Sequence, residues 1–405
     1  MGRLLITGLA QLATPAGRSA PLRGAALGEV EVIEDAFVLC DGALIEAVGP
    51  MRDLPNLGGE TDELDARGLC AIPGLVDCHT HPAFGGDRVE EFSLRAAGAS
   101  YEELHAAGGG ILSTVRATRA LDETALSERV ARHAGWLLRH GTTTWEGKSG
   151  YGLDRDTELA SLRAVAAAGG RPTWLGAHAV PPEFPDADAY LDFALSEVLP
   201  DAAQIAWAAD VFLERGAFDA AQAERFLRAC REAGLELRLH GDQFTESGAI
   251  PLADKLGARS VDHLEATGAD GVRALAASDV VGVLLPASAL FLGRPMPPGR
   301  ALVDAGAAIA LATDFNPGSS FTTSLPLVCA LAATQIGLSP AEALSAVTVN
   351  AAQVLGCAQD RGRLAEGYRA DLVLLDAPDW RYLAYSLAGD IVTTVIAGGA
   401  VAYSR

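Results

Sequence analysis

Eight short apolar runs, separated for the most part by helical patterns, fill the middle of this 405-residue chain and restrict its fold more than any other feature. They read GLVDCHTH, GTTTWEGKS, RPTWLGAHAV, ADVFLE, LELRLHGDQ, ARSVDHLE, VVGVLLPAS and AAIALATDF. Intervening segments such as ETALSERVARHAGWLLRH and DAAQAERFLRACREAG carry the apolar spacing of amphipathic helices. Strand–helix alternation points to a parallel sheet, hence an α/β protein. Eight units in roughly 290 residues fit a (β/α)8 TIM-like barrel. A doubly wound open sheet is the alternative, but its first strand would lead into a glycine-rich phosphate turn, whereas GLVDC leads into HTH.

The two chain ends share a different texture. RLLITGLAQLA, AFVLCDGALIEAVG, ADLVLLDAP and IVTTVIAGGAVAYS are strand-like and bounded by turn residues. Residues 1–67 and 358–405 are therefore expected to pair into a small β-sandwich domain, which leaves 68–357 for the barrel. SPAEALSAVTVNAAQVLG reads as one long helix, opened by a capping box of Ser339 and Glu342 with Pro340 at its first position.

Composition narrows the functional classes. A formal net charge of −21 disfavours nucleic acid and anionic membranes as partners. An anionic small-molecule substrate would need a local cation, and Arg88 is the one nearest the HTH histidines. Only two of the 31 basic residues are lysines, Lys148 and Lys255, a bias that reflects composition rather than function. Six cysteines without a CxxC pair indicate buried thiols in a reducing cytoplasm. The N-terminal apolar run is broken by Gly8 and Gln11, so a strand is preferred to a signal peptide. No uninterrupted apolar window of about 18 residues suggests a membrane span.

In a barrel the chemistry sits where the strands end. The ionisable residues at these ends are His79 and His81, Glu146 and Lys148, His178, Asp210 and Glu214, His240, His263, and Asp314. Five of the eight histidines are among them, while His105, His133 and His140 fall in helical or loop segments. On a strand, residues two apart share a face, so His79 and His81 project together and Cys78 points away. One such histidine alone would be an ordinary buried imidazole. Five converging imidazoles and an aspartate each need a partner. His79, His81, His240 and Asp314 form a nitrogen and oxygen ligand set suited to one zinc or iron ion, with a position open for water. Hydrolysis of an amide-like bond is the natural reaction class. AGGGI (107–111) and GKSGYG (147–152) lack the order of a phosphate loop and read as plain loops. TDFNPGSS supplies Asn316, Gly318 and Ser319 as hydrogen-bonding groups for a polar ligand.

HxH after a first strand, a later histidine, an aspartate after the eighth strand and the closing GRLAEGYRADLVLLD resemble the amidohydrolase superfamily. PGLVDCHTHPAFGGDRVEEFSLRAAGASYEELHAAGGGILSTVRATR, KSGYGLDRDTEL, LGAHAVPPEF, SVDHLE and LATDFNPGSS are similar, within it, to the imidazolonepropionase family. That resemblance spans about residues 70 to 376 and implies ring-opening hydrolysis of 4-imidazolone-5-propanoate to N-formimidoyl-L-glutamate, in histidine breakdown. It matches His79, His81, His240 and Asp314 to metal ligands. It matches Arg88, Tyr151, His178, Gln243, Asn316, Gly318 and Ser319 to substrate contacts, and His263 to a histidine that assists the chemistry. Some relatives carry glutamate where Gln243 stands, and an amide cannot shuttle a proton at neutral pH. Lys148 is not required as a carbamylated bridge, so a single ion is expected. A homodimer is a family-level expectation. Two rival readings are deamination of a nucleobase by the same fold, and a non-catalytic relative retained as an interaction module; the latter tends to lose metal ligands, which are all present here.

Overall fold

The computed structural model describes residues 2–98 and 109–405. His105 and the first part of AGGGI lie outside the described residues. Five strands open the chain: β1 (Arg3–Pro15), β2 (Val30–Asp41), β3 (Leu44–Pro50), β4 (Thr61–Asp65) and β5 (Cys70–Pro73). The barrel strands follow: β6 (Leu75–Asp77), β7 (Thr142–Lys148), β8 (Arg171–Ala177), β9 (Ala208–Leu213), β10 (Glu236–Gly241), β11 (Ser260–His263), β12 (Val281–Leu284) and β13 (Ala308–Leu311). The chain closes with β14 (Leu372–Leu375), β15 (Val392–Ala397) and β16 (Ala400–Ser404).

Each of the eight apolar runs supplies one parallel strand, paired in sequence order from β6 to β13. Strands β12 and β13 are buried at every residue, which is why they read as continuous apolar runs rather than alternating ones. The circle closes beyond the strand ends. Asp314 N donates to His79 O at 3.0 Å and His81 N to Phe315 O at 2.8 Å, so the first and last strands meet at the residues expected to carry chemistry.

The chain ends form one mixed sheet in the order β16-β15-β14-β5-β1-β2-β3, with β4 also on β1. Long β1 serves both halves: Arg3–Thr7 pairs with β4, and Gln11 and Leu12 pair with β5. A register shift against β2 between Ile6 and Leu9, with Gly8 at φ +69°, bends it there. Ile6, Leu12, Val38, Ile45, Leu372 and Ile396 then share one apolar cluster, separate from the barrel core.

Two expectations change. The barrel was expected to begin at residue 68, but Cys70–Pro73 pairs antiparallel with β14 and belongs to the chain-end sheet. Gly74 is the crossing point between the two sheets. A Cβ there would collide with the Thr143 side chain and crowd Asp371 Cβ at 3.0 Å, so glycine lets the chain pass without displacing them. The expected single helix after Ser339 is two, Pro340–Ala346 and Val349–Val354. Its capping box and Pro340 stand as expected. The break arises because the Val347 carbonyl accepts Val76 N at 2.8 Å, and Thr348 adopts φ −127°, ψ −94°. Asn350 in the second helix binds Leu22 N, Leu22 O and Ile309 O, which fastens the N-terminal segment to the barrel.

All six cysteines are buried free thiols. No helix among the described residues is long and apolar enough to cross a membrane.

Candidate metal centre and active site

Four side chains converge at the C-terminal mouth of the barrel. His79 Nε2 lies 3.2 Å from His81 Nε2, and His240 Nε2 lies 3.4 Å from His81 Nε2. Asp314 Oδ1 stands 3.5 Å from His79 Nε2 and 3.3 Å from His81 Nε2. Ligands bonded at about 2.0–2.1 Å to a tetrahedral ion are themselves about 3.4 Å apart. The four observed spacings match such edges, and the donors fall into two triads that share His79, one with His81 and Asp314 and one with His240 and His263, so the cluster could hold an ion. Burial depresses the His240 imidazole to about 4 and His81 well below its ordinary value, which keeps both neutral and able to ligate. Burial pushes the Asp314 carboxyl upward, but hydrogen bonds from His79 and His81 outweigh it and hold the group well below the usual range.

Two of the imidazoles are braced from behind. His79 Nδ1 is 2.6 Å from Asp262 Oδ2 and His240 Nδ1 is 3.0 Å from Asp210 Oδ1. A carboxylate behind a ligating histidine fixes the ring and its tautomer. His81 Nδ1 is buried with no such partner. Lys148 faces Glu146 and Asp210 at 2.8 and 2.7 Å rather than the ligand set.

Beside the ligands lies a cavity of about 70 Å³ lined by His81, Tyr151, His178, Phe212, His240, Gln243, His263, Asp314, Asn316 and Ser319. His178 donates Nδ1–H to the Gly150 carbonyl at 2.9 Å, and burial lowers its pKa to about 4. Its Nε2 is therefore an acceptor. Gln243 has no protein partner for its amide among the described residues, so it is open to a ligand. His263 Nδ1 is 3.4 Å from Glu265 Oε1. Backbone strain gathers here: Asp242, His263, Leu264 and Asp314 all take positive φ without being glycine.

Loops reach the site in ways the sequence alone did not show. Arg88 forms a two-pronged pair with Glu91, Nε to Oε2 and Nη2 to Oε1, both at 2.7 Å. That leaves the terminal Nη1/Nη2 edge free, apart from Thr114 Oγ1 at 3.3 Å. Glu91 also accepts Gly110 N at 2.8 Å, so the AGGGI stretch meets one of the protein's own carboxylates. GKSGYG behaves likewise. The amides of Gly150, Gly152 and Leu153 all donate to buried Glu158, which sets the loop that carries Tyr151. Glu214, expected among the strand-end groups, accepts Phe244 N and Thr245 N and props the loop of Gln243 instead of lining the cavity.

Asn316 lines the cavity and is also bonded within its own loop. Its Oδ1 accepts from Gly318 N and Ser319 N, both at 2.8 Å, and its Nδ2 donates to Asp314 O and Ser319 Oγ. All four hydrogen-bonding sites of the amide are occupied within its own loop. Ser319 Oγ in turn donates to Asp314 Oδ2 at 3.3 Å. This turn organises Asp314, while Asn316 and Ser319 also line the cavity. Gly318 abuts Arg88: a Cβ there would sit 3.4 Å from Nη1.

The profile of the Amidohydrolase family matches residues 70–401. An imidazolonepropionase of Rubrobacter xylanophilus is 60% identical over 406 residues, covering 98% of this chain and 97% of that protein. The chain belongs to the imidazolonepropionase branch of the amidohydrolase family. Another imidazolonepropionase, from Deinococcus radiodurans, is 46% identical over 99% of this chain and all of its own length. Among solved structures, E. coli guanine deaminase superposes with a TM-score of 0.76 at 16% identity, covering 100% of both chains. An adenosine deaminase from Xanthomonas campestris with bound zinc gives 0.72 at 21%, covering 98% of this chain and 92% of that one. These two show the shared amidohydrolase fold. The buried network of Asp262, Asp210, Arg238 and Lys148 is the part of this imidazolonepropionase-type site that the sequence left unassigned. The signal was Arg238 two residues before His240 on a strand of leucines, a cation aimed into the barrel.

Proposed function

We propose that this protein hydrolyses 4-imidazolone-5-propanoate to N-formimidoyl-L-glutamate, using one zinc or iron ion held by His79, His81, His240 and Asp314. The observation that carries the reading is that His81 Nε2 lies 3.2–3.4 Å from His79, His240 and Asp314, at the junction of two candidate ligand triads that share His79. The family's full-length relatives support the substrate. Lys148 Nζ is already engaged by two carboxylates, which favours one ion over a carbamate-bridged pair.

When bound, the ion supplies Lewis acidity, lowering the pKa of water from about 15.7 toward about 7 and polarising a carbonyl oxygen. The rest falls to the protein. The free edge of Arg88 grips the substrate's propionate, a two-pronged match of guanidinium and carboxylate. His178 Nε2 accepts a ring N–H, while Tyr151 and Gln243 hydrogen-bond the ring. Asp314 takes a proton from the attacking water and delivers it to the ring nitrogen as the C–N bond breaks. His263 donates to the oxygen that gains charge. Asn316, Gly318 and Ser319 contact the substrate from the cavity wall, and the same turn holds Asp314 and leaves room for Arg88.

The purified protein is expected to abolish the ultraviolet absorbance of imidazolone propionate and to leave guanine and cytosine unchanged. Turnover of a nucleobase without turnover of imidazolone propionate would establish the deaminase reading instead. Glu91→Gln loosens Arg88 without touching the ion. Its KM is expected to rise about tenfold, equivalent to about 1.4 kcal/mol, with kcat nearly unchanged. Equal loss in kcat would place Glu91 closer to the chemistry than this account does.

A further inference from the structure

Beneath the three histidines lies a layer of five charged side chains, Glu146, Lys148, Asp210, Arg238 and Asp262, each fully buried. Barrel interiors are ordinarily filled with branched apolar residues. Buried ion networks are costly to desolvate, and apolar packing of similar volume often stabilises as well or better, so stability does not account for this layer. Its connections do. Arg238 Nη1 reaches Glu146 Oε1 at 2.6 Å and Cys78 O at 2.7 Å, Nη2 reaches Asp262 Oδ2 at 2.7 Å, and Nε reaches Ser260 Oγ at 3.0 Å. Lys148 Nζ bridges Glu146 Oε1 and Asp210 Oδ2. The same two aspartates carry the histidines: Asp262 Oδ2 takes His79 Nδ1, and Asp210 Oδ1 takes His240 Nδ1.

We propose that Lys148 and Arg238 are positioning residues for the metal centre, clamping Asp210 and Asp262 so that His240 and His79 present Nε2 to the ion. This deepens the metal-centre reading and rests on it. Each aspartate is gripped by a cation and an imidazole at once, and Glu146 links the two cations, so the five side chains form one connected frame across β7, β9, β10 and β11. Two of the three imidazoles are oriented by this frame. Without its cation, either aspartate is a buried carboxylate held more loosely against its ring, Asp262 by Lys148 at 3.8 Å and Asp210 by the His240 amide at 3.2 Å.

The test is the zinc affinity of metal-free, full-length protein, measured by competition with a chromophoric chelator. Coulomb attraction alone would make Lys148→Met and Arg238→Met bind zinc more tightly, because each removes a neighbouring positive charge. Positioning makes the opposite forecast: binding about 10- to 100-fold weaker in the folded variants. Unchanged or tighter binding overturns the proposal, even if the variants melt earlier. Should a methionine variant fail to fold, Lys148→Gln or Arg238→Gln takes its place, since the amide keeps donors while losing the charge. A measurement on the unaltered protein stands beside these. In the metal-free state, 15N imidazole spectra are expected to show His79 and His240 with hydrogen on Nδ1; hydrogen on Nε2 alone would overturn the proposal. A wild-type protein that takes up no zinc would instead defeat the metal reading itself.

Discussion

Asp314→Asn is expected to lower kcat by roughly a thousandfold or more, the upper range for loss of a positioned acid–base group. Asparagine retains an oxygen where Asp314 Oδ1 approaches His79 and His81, and its side chain has the same length. The surrounding turn persists, because Asn316 holds it through the Asp314 carbonyl and the amides of Gly318 and Ser319. What disappears is a base that stays ionised at neutral pH, a state enforced by the hydrogen bonds of His79 and His81 against the upward push of burial. Metal content of the variant, measured by elemental analysis, separates the two duties of the residue. An Asn variant that keeps its metal and turns over at the wild-type rate would remove Asp314 from proton transfer.

His263→Ala should cost on the order of 100- to 1000-fold in kcat, the scale seen when one donor to a developing oxyanion is deleted. His263 ends β11, lines the cavity and is held in an unusual backbone state at φ +91°. Its ring centroid is 5.4 Å from that of His240 and 5.8 Å from that of His79, so its tip works over the same point as the ligands. Glu265 sits behind it at 3.4 Å. Because the interaction forms as charge develops, KM should move little. A KM rise with unchanged kcat would assign His263 to ground-state binding instead.

The barrel was legible because parallel strands buried on both faces are predominantly apolar, and the eight runs keep that character apart from the charged layer on β7, β9, β10 and β11. Ligand positions were legible for the same reason: a histidine or aspartate at the end of such a run has nowhere to go but the shared mouth. Features that depend on partners distant in sequence were hidden. Gly74 looks like any turn residue until Thr143 is placed against it. The helix break at Val347 needs the Val76 amide, although the β-branched triplet Val347-Thr348-Val349 was a local hint. Asn316 was read as a ligand contact because an amide after a barrel strand is polar and available. Only the structure shows the turn it nucleates, through which the same amide also braces Asp314. Glu91 and Glu158 were invisible for a related reason, since each partners loop amides or a guanidinium whose approach no pattern in the sequence encodes.

Everything in the mechanism depends on one ion gripped jointly by three imidazoles and one carboxylate. Stripping the protein with a chelator and titrating zinc or iron back, while following loss of imidazolone propionate, tests this most directly. Turnover should vanish on stripping and return in step with occupancy, reaching its plateau at one ion per chain. Full turnover by metal-free protein, or a plateau only at two ions per chain, would contradict it.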